Sequence, residues 1–525
     1  MTIGRTHLGL LLFVGLLAHG LMLVNDGIYW DDWTVFNVDD RVVLNTFRES
    51  GLPLKAIIHV LLKEWPIAYH WTTFLAIIAS TVVFYLILGS VPEIDGTERL
   101  ILALLFEVFP LNSAKVAMSI APYMVGLLLF TLGTLWVVWF IRTGRWRYHW
   151  LACVFLWVSF QIESFLVFFY AVLACSIAYH ERWPFERRFE FHRMRRYLVL
   201  ALLPIVYQIV KVTMLAPYGV YEGYNSIRWT HVWATPLGAL ATLDDNVAVP
   251  LFNALRSIWD EPNYFMALVP VWLALYLYFK RGGSADSRHA TTLLGVGLAG
   301  YFLGVFPYLA VRGLLPTFGQ GWLSRDQLVL AYGVPFIIVY GAKVVLREME
   351  IRSRNVLLLG LSFVVTASVL ADVTNNLSFL HAWFKQQRLM EEFSKSDRLR
   401  GHTTFVVEAS GTRELDPFGE QLRYYELTGM MKLVFGDERR MAFVGEPTAA
   451  DRLAVARARL YPEYNISGYQ LREPEYLIRL TRGPVKIGPL RTLRALWYTR
   501  SGRPGDRGRL SELLAEVIRV EVVPL

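Results

Sequence analysis

The chain is dominated by apolar runs, most of them near the length that crosses a bilayer, separated by short loops in which arginine is concentrated. The first run, His7 to Val24, is long enough to span at about 1.5 Å per residue. No small-x-small cleavage site precedes the residues that follow it, so it reads as a retained first helix. Further spans are expected over 66–89, 99–110, 116–141, 197–216, 264–279, 291–311, 327–345 and 355–372. The apolar stretch 150–179 is too long for one straight span and is interrupted by Gln161-Ile162-Glu163-Ser164, which splits it into two short helices. That brings the expected total to about 11 transmembrane helices.

Composition agrees with this reading: 54% of residues are hydrophobic and 18% charged, against roughly a quarter charged in soluble domains. The net charge of +8 does not indicate a nucleic-acid partner. Its cations sit in short clusters between apolar runs, as in the loops on one side of a membrane. Clusters at Arg142 to Arg147, Arg182 to Arg196, Lys280 to Arg288 and Lys343 to Arg354 all fall on one side if the N-terminus is cytoplasmic. Cys153 and Cys175 lie inside apolar runs and offer neither a disulfide framework nor a cysteine metal site.

Two long stretches interrupt the spans. Residues 37–64 mix charge with apolar positions at helical spacing and suit an interfacial, amphipathic outer loop, and 217–263 reads as a long aromatic loop. After Asp372 charged residues become frequent. Residues 373–400 are expected as a linker and 401–525 as a small α/β extracytoplasmic domain. Its strands are expected at Thr403 to Val407, Met441 to Val444 and Tyr476 to Leu480, and its helices at Ala449 to Leu460 and Leu510 to Val520. No catalytic motif is visible there, which favours a packing or docking role.

The residues that draw attention follow the first helix: Tyr29-Trp30-Asp31-Asp32-Trp33. Indole rings belong at a membrane interface, but two adjacent carboxylates are not needed there. The pair is either a solvated turn in an aromatic belt or a reaction centre. Other polar residues are expected near the same outer level: Glu107, Lys115, Gln161, Glu163, Lys211, and the loop Arg312 to Asp326 with Gln320 and Arg325. Each alone has a plain explanation, such as a snorkelling lysine or a helix boundary. Together they suggest acids and bases from several segments converging on one outward cavity.

An inside N-terminus, an acidic pair in the first outer loop, about eleven spans, a broken helical hairpin and an outer C-terminal domain together resemble the GT-C superfamily of membrane glycosyltransferases. The resemblance rests on Asp31-Asp32 and topology and covers residues 1–372. It implies an enzyme of the plasma (inner) membrane that moves a sugar from a polyprenyl-phosphate donor to a glycan, lipid or protein acceptor. The base would be Asp31 or Asp32, and basic residues late in the membrane region, above all Arg325, would hold the lipid phosphate. Lys211 joins Arg325 as a leading phosphate contact, with Lys115 and Arg312 behind them, because cations must meet the departing phosphate. Trp30 and Trp33 are candidates to stack on sugar faces. A divalent cation held by Asp31, Asp32 or Glu163 is an option that the chemistry does not require. In an extended chain the two aspartates point apart, so one faces the site and the other orients it. The resemblance favours Asp31 as base. The alternatives are a transporter or flippase of a lipid-linked saccharide, which commonly shows repeated halves with broken helices near the midplane, and an O-antigen polymerase or ligase.

Overall fold

A computed structural model describes residues 3–180, 195–223, 226–282, 289–312, 321–349, 354–420, 422–437, 439–445, 469 and 472–525 of the 525-residue chain. Among them, seven helices are long and apolar enough to cross a membrane: Arg5–Val24, Pro66–Leu88, Met118–Thr143, Arg195–Met214, Pro262–Gly282, Ala290–Val311 and Arg354–Lys395. A helical pair bent by 58°, Gly321–Tyr332 with Val334–Glu348, makes an eighth if taken as one span. The protein is therefore an integral membrane protein by its helices, with fewer spans among the described residues than the eleven expected.

The shortfall comes from helices too short to span. Along the chain the described α-helices are α1 (Arg5–His19), α2 (Asp40–Glu49), α3 (Pro53–Leu62), α4 (Pro66–Leu88), α5 (Gly96–Val108), α6 (Ala121–Thr143), α7 (Trp146–Ser159) and α8 (Ser164–His180). α5 has 13 residues, about 20 Å at 1.5 Å per residue, where the hydrocarbon core needs about 30 Å. Nearly every residue from Leu100 to Val108 is buried, so α5 is an interior element enclosed by α1, α4 and the later helices rather than a lipid-facing span. Asp95 caps it by accepting from the Thr97 and Glu98 amides, and its Glu98 pairs with Lys343. α7 and α8 break at 160–163, at the Gln161–Glu163 interruption.

The next group is α9 (Leu198–Met214), α10 (Trp229–Leu243), α11 (Val249–Asp260), α12 (Pro262–Gly282), α13 (Ala290–Arg312) and α14 (Val334–Glu348). The stretch 217–263, expected as a loop, is mostly helical: α10 passes through a π-helical turn at Asp244–Ala248 into α11. Pro250 is the second residue of α11 and follows directly on the π-helical turn. The aromatic residues that suggested a loop are compatible with helices packed on α13 and α15.

α15 (Arg354–Lys395) is one helix of 42 residues, about 60 Å long and twice the hydrocarbon thickness. The segment 373–400 is therefore the far half of this helix, followed by α16 (Asp397–Gly401), rather than an unstructured connection. That half carries the C-terminal domain, and Lys385 forms a buried ion pair with Asp416 of the domain.

The domain contains a four-stranded sheet ordered β2-β1-β3-β4, with β1 (Thr404–Glu408), β2 (Met441–Val444), β3 (Tyr476–Arg482) and β4 (Ile518–Pro524). β1 runs parallel to β2 and β3, and β4 is antiparallel to β3. Helices α17 (Tyr424–Phe435), α18 (Pro489–Ser501) and α19 (Asp506–Val517) accompany it. The helix expected through Val520 ends at Val517 instead, because Arg519-Val520-Glu521-Val522 alternates with the period of a strand. The expected helix over 449–460 lies outside the described residues, as do most of the Arg182 to Arg196 cluster and Gln320.

Candidate functional site

The acidic pair sits in a short 3-10 helix, Trp30–Thr34, and its two carboxylates have opposite surroundings. Asp32 is fully buried. Its Oδ2 accepts from the Met118 amide at 2.8 Å and the Tyr29 amide at 3.1 Å. Its Oδ1 accepts from the Ser119 amide at 2.8 Å and the Ser119 hydroxyl at 2.6 Å. Burial pushes the Asp32 carboxyl up to about 6, against four donated hydrogen bonds that favour the charged form. Asp32 thus ties the turn after α1 to the 3-10 turn Met118–Ile120 that opens α6.

Asp31 is 40% exposed at its side chain. Its Oδ1 accepts from the Tyr425 hydroxyl at 2.7 Å, and Arg423 Nη1 lies 3.9 Å away. Both partners stand at the start of α17, nearly four hundred residues later in the chain. Beside them the buried Glu426 accepts from the Arg423 amide at 2.9 Å and the Trp30 amide at 3.3 Å. Burial pushes its carboxyl up to about 7, with the Arg423 amide pulling the other way. The turn itself is strained, since Trp30 has φ 52°. A bulky residue persists in the left-handed region only where its surroundings over-determine it, and such positions concentrate at functional sites.

Trp30 and Trp33 are 4% and 3% exposed, so neither presents an open face to a sugar. Trp30 meets Phe379 and Trp322 edge-on, with ring centroids 5.1 Å and 6.0 Å away. Trp33 lies against Gly429 of α17, where an added Cβ would stand 2.6 Å from the indole. The glycine permits that approach, so Trp33 packs the turn against the domain, while Trp30 packs it against α15 and the Trp322 segment.

Arg325 belongs to the neighbourhood of the pair through Trp322: its guanidinium lies 4.3 Å above that indole and its Nε 3.8 Å from Asp326. The Trp322 amide donates to Glu420, so the segment that presents Arg325 is also held by the domain. Ser324, next to Arg325, takes hydrogen bonds from the Ala114 amide and the Ser113 hydroxyl. Residues 112–120 therefore touch both halves, holding Asp32 at one end and the Arg325 segment at the other.

The remaining candidates form separate groups. Lys115 turns inward and pairs with Asp372 of α15 at 2.6 Å, both side chains buried. Near it a cavity of about 40 Å³ is lined by Glu107, Asn112, Lys115 and Gln327 among apolar neighbours. Both Glu107 oxygens are buried without a hydrogen-bond partner among the described residues. Glu163 and Lys211 pair with each other at the α7–α8 break. Arg312 ends α13, and its side chain lies outside the described residues.

The residues that sequence reasoning missed are Ser119, Trp322, Arg423, Tyr425 and Glu426. Nothing local in Arg423-Tyr424-Tyr425-Glu426 announces that these residues meet Asp31. Among the described residues no three of His, Cys, Asp and Glu converge as a metal site. Asp32 in particular spends its oxygens on protein donors, so the pair does not fit a bridging cation. No family model matches the chain, and no curated protein matches it.

Proposed function

We propose that this protein is a membrane glycosyltransferase of the GT-C kind, taking a sugar from a polyprenyl-phosphate donor, with Asp31 as general base. The reading rests on one observation: of two adjacent carboxylates, Asp32 is consumed by four donors while Asp31 stays 40% exposed beside Tyr425 and Arg423 of the domain. Divergent environments for neighbouring acids are how one group is reserved for chemistry and the other for position.

In the proposed reaction the acceptor hydroxyl oxygen bonds to the anomeric carbon as the bond from that carbon to the phosphate oxygen breaks. Asp31 takes the hydroxyl proton. The departing prenyl phosphate keeps the electron pair and is met by Arg325 and Arg423, whose planar forks suit phosphate oxygens. Trp322 holds the Arg325 guanidinium in place, and Tyr425 orients Asp31. The domain and the acidic pair would face the outside of the plasma membrane, where a lipid-linked donor is presented.

A second reading, movement of a lipid-linked saccharide across the membrane, draws on the buried Glu107, Lys115 and Asp372. The two are separated by a transfer assay on purified protein with a synthetic polyprenyl-phosphate sugar. Turnover that is lost in Asp31→Asn and kept in Glu107→Gln supports the transferase. No turnover by the folded wild-type protein with any donor, together with saccharide movement in vesicles, supports the transporter.

A further inference from the structure

α18 has one packed face and one open face. Ala495 is fully buried and packs with Phe384 of α15 and Leu514 of α19. Thr492, on the same face, hydrogen-bonds His381 of α15 at 3.0 Å. Opposite them Leu490, Leu493 and Trp497 are 73%, 58% and 57% exposed. Their spacing of three and four residues makes a continuous apolar stripe along the helix.

The position of that stripe is set at its C-terminal end. Arg500, three residues beyond Trp497 and so on the same side, places Nη2 2.7 Å from Asp26 Oδ1. Asp26 lies two residues past Val24, where the first spanning helix ends. At the same end the Trp71 indole N–H donates to the Leu23 carbonyl at 2.9 Å, with half of Trp71 exposed. An exposed indole at the polar end of two spans marks the headgroup layer. Arg500 thus holds the end of α18 level with the end of the first apolar helix. The charge of α18 suits that place: Arg494 and Arg491, whose Nη2 lies 3.8 Å from Glu516 of α19, stand beside the stripe, and the Arg503 guanidinium sits 5.6 Å from the Trp497 ring.

We propose that α18 is a membrane-surface helix, with Leu490, Leu493 and Trp497 immersed in the leaflet on the domain's side and Arg491, Arg494 and Arg503 bound to anionic phospholipid headgroups. An arginine-flanked apolar stripe at that level is the composition of an interfacial helix, and juxtamembrane cations are drawn to anionic lipid at about 1 kcal/mol each. The inference is independent of the proposed chemistry.

The test uses the full chain in nanodiscs of mixed phosphatidylglycerol and phosphatidylcholine. A nitroxide is attached at Leu493→Cys in a Cys153→Ala, Cys175→Ala background, which leaves the packed face of α18 untouched. Immersion predicts that the label collides severalfold more with oxygen, relative to a water-soluble nickel chelate, than the same label free in solution. It also predicts that this preference falls in pure phosphatidylcholine, and falls in the anionic discs when Arg491, Arg494 and Arg503 are changed to Gln. Free access of the chelate overturns the proposal by placing the stripe in water, and protection from both reagents overturns it by showing a protein cover. An unchanged oxygen preference in pure phosphatidylcholine overturns the requirement for anionic lipid.

Discussion

The Asp31–Asp32 site and the Lys115–Asp372 pair are built from similar residues and end in opposite surroundings. Lys115 and Asp372 are 4% and 3% exposed at their side chains, pair at 2.6 Å, and lie among helices that admit a cavity of only about 40 Å³. That volume holds a few waters at most. Asp31 is reached by side chains from a separate domain and remains partly open. A sealed ion pair is most sensitive to loss of one partner, while an open carboxylate can be altered with little effect on folding. The comparison teaches that the count of charges near a membrane face says little about function until it is known which of them are already spent.

The largest expected effect is on turnover. Asp31→Asn should lower transfer by about a hundredfold to ten-thousandfold, the usual contribution of a positioned base, with thermal unfolding unchanged. Asp32→Asn turns an amide donor toward amides that need an acceptor, so it should lose stability together with activity. Near-normal turnover in Asp31→Asn would reassign the base and remove the contrast between the two carboxylates.

Next comes the sealed pair. Lys115→Met leaves Asp372 buried and uncompensated and should destabilise the protein by about 3–5 kcal/mol. Lys115→Met combined with Asp372→Leu should recover most of that, as read by thermal unfolding in detergent. Recovery of stability with normal transfer would make the pair structural. Recovery of stability without transfer would give the interior a part in the reaction.

The docking of the domain should depend on pH through Glu426. Its folded carboxyl is pushed up to about 7, above an unfolded value near 4.3. The folded protein therefore holds a proton that the unfolded chain has released across that window. The resulting stability is fully present below about pH 4 and is lost as pH rises through 7. Glu426→Gln should flatten this slope, an effect on the order of 2 kcal/mol across the window, seen in unfolding measured from pH 5 to 8. An unchanged slope would remove Glu426 as its source.

The smallest effect is that of Tyr425→Phe, which removes one hydrogen bond to Asp31. A loss of about tenfold in kcat/KM is expected, in line with about 1.4 kcal/mol for a bond to a charged group, with the fold intact. A loss confined to KM would show that Tyr425 serves donor binding instead of orienting the carboxylate.

Some of this arrangement is legible along the chain. The spans at Pro66–Leu88 and Pro262–Gly282 follow from apolar length alone, and strand β2 from four residues that include the buried Ala442 and Phe443. α5 was misread as a span because an interior helix and a lipid-facing one are both apolar and differ only in what covers them. The stretch 217–263 reads as loop from its many aromatic residues, yet at a membrane surface these sit on the exposed side of a helix, as Trp229, Trp233 and Trp259 do in α10 and α11. Lys115 and Glu107 group with the acidic pair by their expected depth near the outer ends of the spans, yet Lys115 turns inward to Asp372.

By itself the sequence determined that the chain is membrane-embedded, since backbone polar groups in hydrocarbon must be satisfied within helices, and it singled out Asp31-Asp32 by their chemistry. Only the tertiary structure decided which aspartate is buried under four donors and which stays partly exposed. The donors that hold Asp32 lie at 118 and 119, and the hydroxyl that meets Asp31 lies at 425. Hydrogen bonds act over about 3 Å, so the fate of each carboxylate depends on which distant segments the fold brings within that reach.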